Sequence, residues 1–489
     1  DIGSMDAVLM VGFPGTISAL HQQAGRAGRV REESLAVLLT TPDPLDQFLA
    51  ANPQYILEKP IENALINPDN LLILVEHMKC AAFELPFQLG DSFGSVTQNM
   101  VADIMDHLVE INLVHQTEDR FFWMSNIYPS GSFSLRTTSA DIVFLHLDNS
   151  DLTFDKKPKM IGHVEKRSSL WMVHPDAVYL HEGKSFHVKE LDLVTNIAWL
   201  RPLETDYYTT PKIQSEVDVE NIFQKHTSSL AKHYTGEVLV REQVVGFRRI
   251  QWYTNEVLEA RELDLPATDL HTTAYWICFT EKMISSLKDS GYWSSGRIDY
   301  GADWKRQRLL ARQRDGFRCQ FCGEPEKDRS HDVHHKIPFK KFSSPDQANH
   351  LENLITLCPI CHRKAETSVR IRTGLTGVGY ALGNLAPLHL MCDRADLGIH
   401  TDPESKIAGS LPVVMIYEHI PAGIGLSQRL FETHEALIDH AVNLVSDCRC
   451  KNGCPSCIGP GTDEEIGGKV EAWTILRLLT EPNLSSHEK

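Results

Sequence analysis

The chain has 489 residues, of which 42% are hydrophobic and 23% are charged, and its formal net charge is −17. This length exceeds what one hydrophobic core supports and predicts several domains, while the composition is that of a folded globular protein. The acidic balance excludes a uniformly basic nucleic-acid-binding surface, and no run of 18 apolar residues predicts a membrane span. Eight of the eleven cysteines have metal-type spacing, which favours a reducing cytoplasm over a disulfide framework.

The first predicted element is an apolar strand, Ala7–Val11, followed by a Gly/Pro turn and the string QQAGRAGR at 22–29. This string resembles motif VI of superfamily 2 helicases, and residues 1–3 resemble the end of their motif V. The resemblance implies that Arg26 and Arg29 contact the γ-phosphate of ATP bound on another RecA-like lobe, where guanidinium groups neutralise developing charge. It also implies that Gln22 links nucleotide to nucleic acid. The alternative is a Gly/Arg-rich helix start that arose by chance.

The sequence lacks the phosphate-binding motifs that such an enzyme needs. It contains no G-x-x-x-x-G-K-[ST] loop and no D-E-x-H metal motif. We therefore expect the chain to be the C-terminal part of a longer helicase, cut inside motif V, whose missing N-terminal RecA-like lobe binds ATP. The chain by itself is not expected to hydrolyse ATP.

Residues 41–60 are rich in Pro, Asp and Asn and predict a linker. Apolar residues with helical spacing at 70–87 and 95–113 predict two helices, and alternation about a polar turn at 114–123 predicts a hairpin. Two helices before a hairpin indicate a winged-helix-like module. Helicases use such modules against duplex DNA, but this one is hardly basic, so scaffolding between lobes is an open alternative.

Strand-like segments separated by turn residues dominate 131–280, and they predict an antiparallel, partly barrel-like region. They are 142–147, 177–180, 237–240 and 244–247. A helix at about 377–390, a strand at 413–417 and a glycine-rich helix start at 421–426 predict that an α+β domain continues later in the chain. We expect the intervening segment to enter at a hinge over 290–301 and to leave at another over 366–373.

Two Cys-x-x-Cys pairs, 39 residues apart, belong to this intervening segment: Cys319, Cys322, Cys358 and Cys361. Four thiolates satisfy tetrahedral zinc, so the pairs predict a closed structural site that draws both ends of the segment together. His334, His335 and His362 are surplus to that zinc ion. We expect the three imidazoles to gather beside it and to hold a second, open metal ion.

The segment resembles, over about 304–366, an HNH (ββα-metal) endonuclease of the four-cysteine type. The resemblance implies that His335 is the general base, that His334 and His362 hold Mg²⁺ or another divalent cation, and that Asn353 orients the base or its loop. Residues 301–372 carry 15 Lys and Arg against 9 Asp and Glu, which suits a polyanionic substrate. The alternative is a zinc module that binds nucleic acid or only fastens a loop, with incidental histidines.

Four further cysteines fall within ten residues near the end of the sequence: Cys448, Cys450, Cys454 and Cys457. They predict a second closed zinc site, with an iron–sulfur cluster as the alternative. Together with MCDRADLG (391–398), PAGIGL (421–426) and the upstream β-region, they resemble the zinc-binding C-terminal domain of MrfA-like helicases, the mitomycin-repair type.

These resemblances imply a multidomain α/β and α+β protein whose mixed, β-rich zinc-binding domain is interrupted by a ββα-metal insert. The expected domains are 1–50, a truncated RecA-like lobe; 51–130, a winged-helix-like module; 131–289 and 369–489, the zinc-binding domain; and 290–368, the HNH insert. The expected cofactors are two structural Zn²⁺ ions, a divalent cation at the HNH site and, in the full-length protein, ATP.

The expected function is that of an ATP-dependent DNA helicase fragment with a metal-dependent endonuclease, cytoplasmic and nucleoid-associated in a prokaryote. Its expected partners are DNA, the missing RecA-like lobe and proteins of repair or of defence against foreign DNA, with no membrane partner. The sequence does not choose between repair and defence. The alternatives are a non-catalytic DNA-binding accessory region with structural zinc, and an interaction scaffold that does not contact DNA.

Overall fold

The computed structural model describes residues 5–28, 33–61, 65, 67–131, 141–148, 159–252, 256–289, 301, 303–327, 329–337, 342, 344–459 and 468–480. In these ranges, no helix combines the length and apolar character that crossing a bilayer requires.

The chain begins with two parallel strands connected through a helix: β1 (Ala7–Val11), α1 (Ile17–Ala24) and β2 (Leu35–Leu39). The apolar strand predicted at 7–11 is present. Thr16 caps the start of α1: its hydroxyl accepts a hydrogen bond from the Ala19 N–H at 3.0 Å.

The linker predicted at 41–60 is wrong, because these residues form α2 (Pro44–Ala51) and α3 (Gln54–Leu57). Asp43 caps α2, and Pro44 is its first residue, a position that proline often occupies in helices. Phe48 and Leu49 are buried in the largest hydrophobic core. The Pro- and Asp-rich composition therefore marks a helix start, and α2 packs against the C-terminal part of the chain.

Two helices and a three-stranded antiparallel sheet enclose a core of their own. These elements are α4 (Leu71–Glu84), β3 (Phe87–Gln88), α5 (Gln98–Glu110), β4 (Val114–Thr117) and β5 (Arg120–Trp123). The predicted helices and hairpin are thus present. Asn70 caps α4, and its Nδ2 donates to the carbonyls of Pro421 and Gly423 at 3.1 and 2.9 Å. This side chain fastens the unit to a distant turn.

A five-stranded sheet follows, in the order β7-β6-β10-β9-β8, with α6 packed beside it. Its elements are β6 (Ile142–Leu147), β7 (Met160–Glu165), α6 (Lys166–Met172), β8 (Val178–His181), β9 (Lys184–Asp192) and β10 (Ile197–Pro202). The strands predicted at 142–147 and 177–180 are present. The expectation of a purely antiparallel region is wrong, because β6 and β10 run parallel.

A second sheet has six antiparallel strands in the order β11-β12-β14-β18-β17, with β13 also paired to β12. Its strands are β11 (Tyr207–Thr227), β12 (Ala231–Gln251), β13 (Val257–Glu262), β14 (Thr268–Phe279), β17 (Leu397–Ser405) and β18 (Leu411–Glu418). The two strands predicted at 237–240 and 244–247 are one strand, β12, with a change of register beside Val244 where a turn was expected. Among the described strands neither sheet closes into the barrel that the sequence suggested.

After α7 (Glu281–Asp289) comes the cysteine- and histidine-rich segment. It consists of α8 (Trp304–Arg314), β15 (Asp332–His335), α9 (Pro345–Ala348), β16 (Leu354–Leu357) and the start of α10 (Pro359–Leu385). The chain ends in α11 (Pro387–Leu390), α12 (Leu426–Glu432), α13 (His434–Asp447) and α14 (Lys469–Thr480), which pack with α10 on β17 and β18. The predicted strand at 413–417 and the helix start near 426 are present.

The exit hinge predicted at 366–373 is wrong, because these residues lie within α10, which runs without a break from Pro359 to Leu385. The helix predicted at 377–390 therefore begins 18 residues earlier. Residues 290–300 of the predicted entry hinge lie outside the described residues.

Four glycines let neighbours approach α10 on two sides. A Cβ on Gly374 or Gly377 would lie 2.6 Å from Ile475 Cδ1 or 2.9 Å from Ala472 Cβ, both on α14. A Cβ on Gly379 or Gly383 would lie 2.7 Å from Thr401 Cγ2 or 2.2 Å from Ile399 Cδ1, both on β17. The helix is therefore held between α14 and the six-stranded sheet at distances that only glycine permits.

We expect Gly383→Ala to destabilise the protein. The gain in helix propensity is about 1 kcal/mol, whereas forcing a methyl group into a packed core costs about 1–3 kcal/mol. Here two atoms of Ile399, Cδ1 at 2.2 Å and Cγ1 at 2.7 Å, would have to move. Thermal unfolding followed by circular dichroism should show a lower midpoint.

Thr376→Ala is the matched control on the same helix, since Thr376 is only partly buried and its hydroxyl bonds its own helix backbone. It should leave the midpoint unchanged or slightly higher. Equal midpoints for the two variants would contradict the close packing of α10.

Candidate functional site

The first cysteine cluster has the geometry of a zinc site. The Sγ atoms of Cys319, Cys322, Cys358 and Cys361 all lie within 4.8 Å of one another, and those of Cys322 and Cys358 are 3.7 Å apart. Tetrahedral zinc with Zn–S bonds of about 2.3 Å separates its sulfurs by about 3.8 Å. A disulfide would bring a pair to about 2 Å. The cluster therefore fits one zinc ion, as the spacing predicted.

Backbone groups prepare these thiols for a cation. Burial alone would raise the pKa of Cys319, but hydrogen bonds from backbone N–H groups, first that of Cys322, lower it to about 6. The pKa of Cys361 is raised to about 12, mainly by its hydrogen bond with Cys358. Cys361 therefore keeps its proton until a cation binds, and a dication stabilises the thiolate form that all four sulfurs need as ligands.

The hydrogen-bonded strands β15 and β16 and the first turn of α10 bring His334 and His362 together. Their ring centroids are 5.4 Å apart with the ring planes at 83°. Two imidazoles that bind one cation at about 2.1 Å place their centroids about 5 Å apart. Burial, followed by the nearby His362 and His335, lowers the pKa of His334 to about 4. Its ring is therefore neutral at pH 7 and has a lone pair for a metal ion.

His335 has different neighbours, because successive residues of a strand point to opposite faces. His335 is 8% exposed, and its ring stacks on Trp304 of α8, with centroids 5.0 Å apart and planes at 19°. Its Nε2 lies 2.9 Å from Asn349 Oδ1. The structure thus groups the predicted trio as a His334–His362 pair with His335 beside it. His335 nevertheless influences His334, since it is one cause of the lowered pKa.

Asn353 fastens the loop that follows β15. Its Oδ1 accepts from the Ile337 N–H at 2.7 Å, and its Nδ2 donates to the carbonyls of Ile337 and Ala348 at 3.0 and 2.9 Å. Of the two roles considered for this residue, these contacts fit orientation of the loop. Asn349, which contacts His335, was missed by sequence reasoning because no motif or spacing distinguishes it.

Some of the arginines of this segment pair with acidic residues of the same segment. Arg312 pairs with Glu326, and Arg314 pairs with Asp315 while also bonding the carbonyl of Leu354 at 2.7 Å. These arginines hold the segment together, and their charge is locally balanced. Exposed cations such as Lys305, Arg306 and Arg318 are better placed to contact a polyanion.

The second cysteine cluster is similarly compact. The Sγ–Sγ distances among Cys448, Cys450, Cys454 and Cys457 include values of 3.5 to 3.7 Å, and all four sulfurs lie within 4.8 Å. This spacing fits a single tetrahedral ion. It is too close for an iron–sulfur cluster, whose four thiolates are divided among two or four iron atoms.

Other elements hold the loop of the second cluster in place. Lys469 donates to the carbonyls of Cys448 and Cys450, and the Tyr380 hydroxyl on α10 donates to the Pro455 carbonyl at 2.8 Å. Helix α10 therefore reaches both clusters: Cys358 caps its start, and Tyr380 contacts the second loop.

The motif VI candidates lie at the end of α1. Gln22 and Arg26 are exposed, on either side of Gly25, which ends the helix. Arg29 lies outside the described residues.

Three family models match parts of this chain. They are the winged helix domain of the ATP-dependent helicase HRQ1 over 66–138, the HNH endonuclease over 319–368 and the MrfA Zn-binding domain over 378–458.

Two curated relatives and a solved structure match 98% of the chain. An uncharacterized ATP-dependent helicase, YprA of Bacillus subtilis, is 30% identical and matches over 52% of its own length. The ATP-dependent helicase hrq1 of Schizosaccharomyces pombe is 27% identical, over 39% of its length. A crystal structure of the DUF1998 helicase MrfA is 26% identical with a TM-score of 0.58, over 54% of its length. The chain thus spans about half or less of the length of these relatives.

We expect the protein to bind two equivalents of zinc, one in each cysteine cluster. Cys358→Ser and Cys450→Ser should each reduce the zinc content to one equivalent, because three thiolates hold the ion far less tightly. Elemental analysis after gel filtration measures this. Cys80→Ser, which changes a cysteine outside both clusters, should leave two. A zinc content that does not respond to either cluster variant would contradict both sites.

Proposed function

We propose that the chain is part of an ATP-dependent DNA helicase whose insert cuts DNA by metal-assisted hydrolysis. The proposal starts from the chain being an MrfA-type helicase relative with an HNH endonuclease segment. The observation that carries this proposal is the His334–His362 pair, which sits beside a four-cysteine site with its rings spaced for one cation.

His334 and His362 would hold a divalent cation such as Mg²⁺. Two protein ligands leave most of its coordination shell to water and phosphate oxygens. Bound there, the cation supplies charge neutralisation at the leaving oxygen of a phosphodiester.

His335 acts in this proposal as the general base. Donation of its Nε2–H to Asn349 Oδ1, across 2.9 Å, selects the tautomer in which Nδ1 is the proton-accepting nitrogen. The stack on Trp304 fixes the ring plane. Burial lowers the pKa of His335, so that the ring is neutral at pH 7 and takes a proton from the attacking water. Asn353 keeps the loop after β15 in place.

The remaining parts of the chain would belong to the helicase. We assign 1–50 to the second RecA-like lobe, with Gln22, Arg26 and Arg29 facing ATP on a lobe outside this chain. We assign 51–130 to a winged-helix module, 131–289 and 369–489 to the zinc-binding domain, and 290–368 to the insert. One solved relative, a DUF1998 helicase MrfA with a TM-score of 0.50 and 27% identity, is described as bound to DNA, which supports DNA as the partner. Such an enzyme would work on cytoplasmic DNA, in repair or in defence against foreign DNA.

A second candidate, a DNA-binding accessory region that does not cut, is favoured by one observation. His335 is only 8% exposed, so water has to reach a side chain that the fold largely covers. The two candidates differ in whether a strand is nicked.

We expect His335→Ala to abolish nicking of supercoiled plasmid in Mg²⁺ or Mn²⁺, with a rate loss of about 10²–10⁴, the usual contribution of a general base. DNA binding, measured by gel shift, should persist. His350→Ala is the matched control, since His350 is exposed and lies outside the paired rings. A wild-type protein that binds DNA but never nicks it would favour the accessory role.

We expect Asn349→Ala and Asn349→Asp to differ. The alanine variant loses the acceptor for His335 and should nick more slowly. The aspartate variant retains an acceptor and should retain nicking. Its carboxylate stabilises the protonated imidazole and raises the pKa of His335. As the pH is lowered, the variant should therefore begin to lose activity at a higher pH than the wild type does. Identical pH–rate profiles for wild type and Asn349→Asp would contradict this positioning role.

A further inference from the structure

The paired strands β15 and β16 have two faces with different surroundings. His335 points to the face on which α8 packs, where its ring stacks on Trp304. Side chains alternate along a strand, so His334 points to the opposite face. On that face it meets His362 at the start of α10. The next residue in line on the His334 face is Lys336, whose side chain is exposed.

Lys336 keeps to the strand alternation although it follows the last residue of β15. The strand register sets His335 opposite Leu354. The Lys336 N–H then donates to the Asn353 carbonyl at 2.7 Å, which is the next pairing in the same register. Because the pairing continues, the side chain of Lys336 lies on the same face as that of His334. Exposure alternates in the same way, since His335 is buried, His334 is half-buried and Lys336 is exposed.

The backbone around Lys336 is held by Asn353. The side-chain Oδ1 of Asn353 accepts from the Ile337 N–H at 2.7 Å, and its Nδ2 donates to the Ile337 carbonyl at 3.0 Å. With the bond to the Lys336 N–H, three hydrogen bonds from one residue fix this turn of the chain. Two residues along a strand span about 6.6 Å. The lysine side chain therefore begins at a fixed place, about that far from the start of the His334 side chain.

The positive charge of Lys336 is not offset by a neighbouring acid. Within the described ranges, Lys336 forms no ion pair. Asp332, the acidic residue on the same face, lies 3.5 Å from both Arg308 and Arg329, so its charge is already balanced. The open end of the His334 face thus presents an uncompensated cation, which attracts an anionic ligand.

We propose that Lys336 binds a phosphate of the DNA strand that lies at the His334–His362 pair. This inference rests on the proposed function, which supplies the strand, and it adds a substrate-binding residue to that site. A lysine ammonium serves as a point charge for a phosphate oxygen. Negative charge grows on the phosphate oxygens as water attacks, so the same contact stabilises the transition state more than the bound substrate.

The first test measures binding without cleavage. Zinc-loaded protein, with no other divalent cation added, is titrated onto a fluorescent DNA duplex at several salt concentrations and followed by anisotropy. The logarithm of the binding constant falls with the logarithm of the salt concentration by about 0.9 for each phosphate contact. Lys336→Gln should make this slope shallower by about 0.9 and weaken binding at low salt by about threefold. Lys336→Arg should retain the wild-type slope.

Lys327→Gln is the matched control. Lys327 is an exposed lysine of the same segment, but its Nζ lies 2.7 Å from Glu324 Oε1, so its charge is balanced. This variant should keep the wild-type slope, and all variants should keep two equivalents of zinc. The proposal is overturned if Lys336→Gln has the wild-type slope, or if Lys327→Gln shifts it equally.

The second test measures nicking of supercoiled plasmid in Mg²⁺. Lys336→Gln should lower kcat about tenfold or more and change KM less, because the contact strengthens in the transition state. Lys336→Arg should restore most of the rate, and a Lys336→Gln variant that nicks at the wild-type rate would contradict the proposal. A wild-type protein that never nicks would count against the proposed cleavage alone, since the salt slope still reports the phosphate contact.

Discussion

The packing of α10 between α14 and β17 is the constraint on which the positions of both metal clusters depend. Four glycines face these neighbours at distances where a Cβ atom would force the neighbour to move. The end of the helix is buried in the largest core, whereas its first turn belongs to the zinc- and histidine-bearing segment. At 1.5 Å per residue, its 27 residues extend about 40 Å. A single rigid element therefore joins the zinc- and histidine-bearing segment to the largest core of the protein.

The candidate nuclease site follows from this arrangement and from the first cysteine cluster. Cys358 and Cys361 anchor the start of α10, so the orientation of His362 is set by the metal site next to it. His334 reaches that histidine because β15 pairs with β16, which leads directly into Cys358. The thiolates thus position the two imidazoles. Loss of zinc from the first cysteine cluster would leave the distance between the His334 and His362 rings no longer fixed.

Sequence reasoning succeeded where the signal is local. Cysteine spacing predicted both clusters, and it also predicted that His334 and His362 come close together, because closing the zinc site draws the two ends of the segment together. The helices and hairpin before residue 130 follow from apolar periodicity and caps such as Asn70.

Sequence reasoning failed where tertiary contacts determine the local structure. Residues 366–373 have the polar composition of a hinge, yet packing farther along keeps them helical, and the residues around Pro44 begin a buried helix. Asn349 meets His335 only in the folded state, so no motif could reveal it. Val244 lies at a bulge that resembles a turn in sequence.

The unbroken helix also acts as a rigid lever on the zinc- and histidine-bearing segment. His362 lies 12 residues before Gly374, the first tightly packed glycine, which corresponds to about 18 Å along the axis. A tilt of α10 by about 10° around Gly374 moves His362 by about 3 Å, which is comparable to the length of a hydrogen bond. Small strain in the body of the protein is thereby amplified at the distal rings.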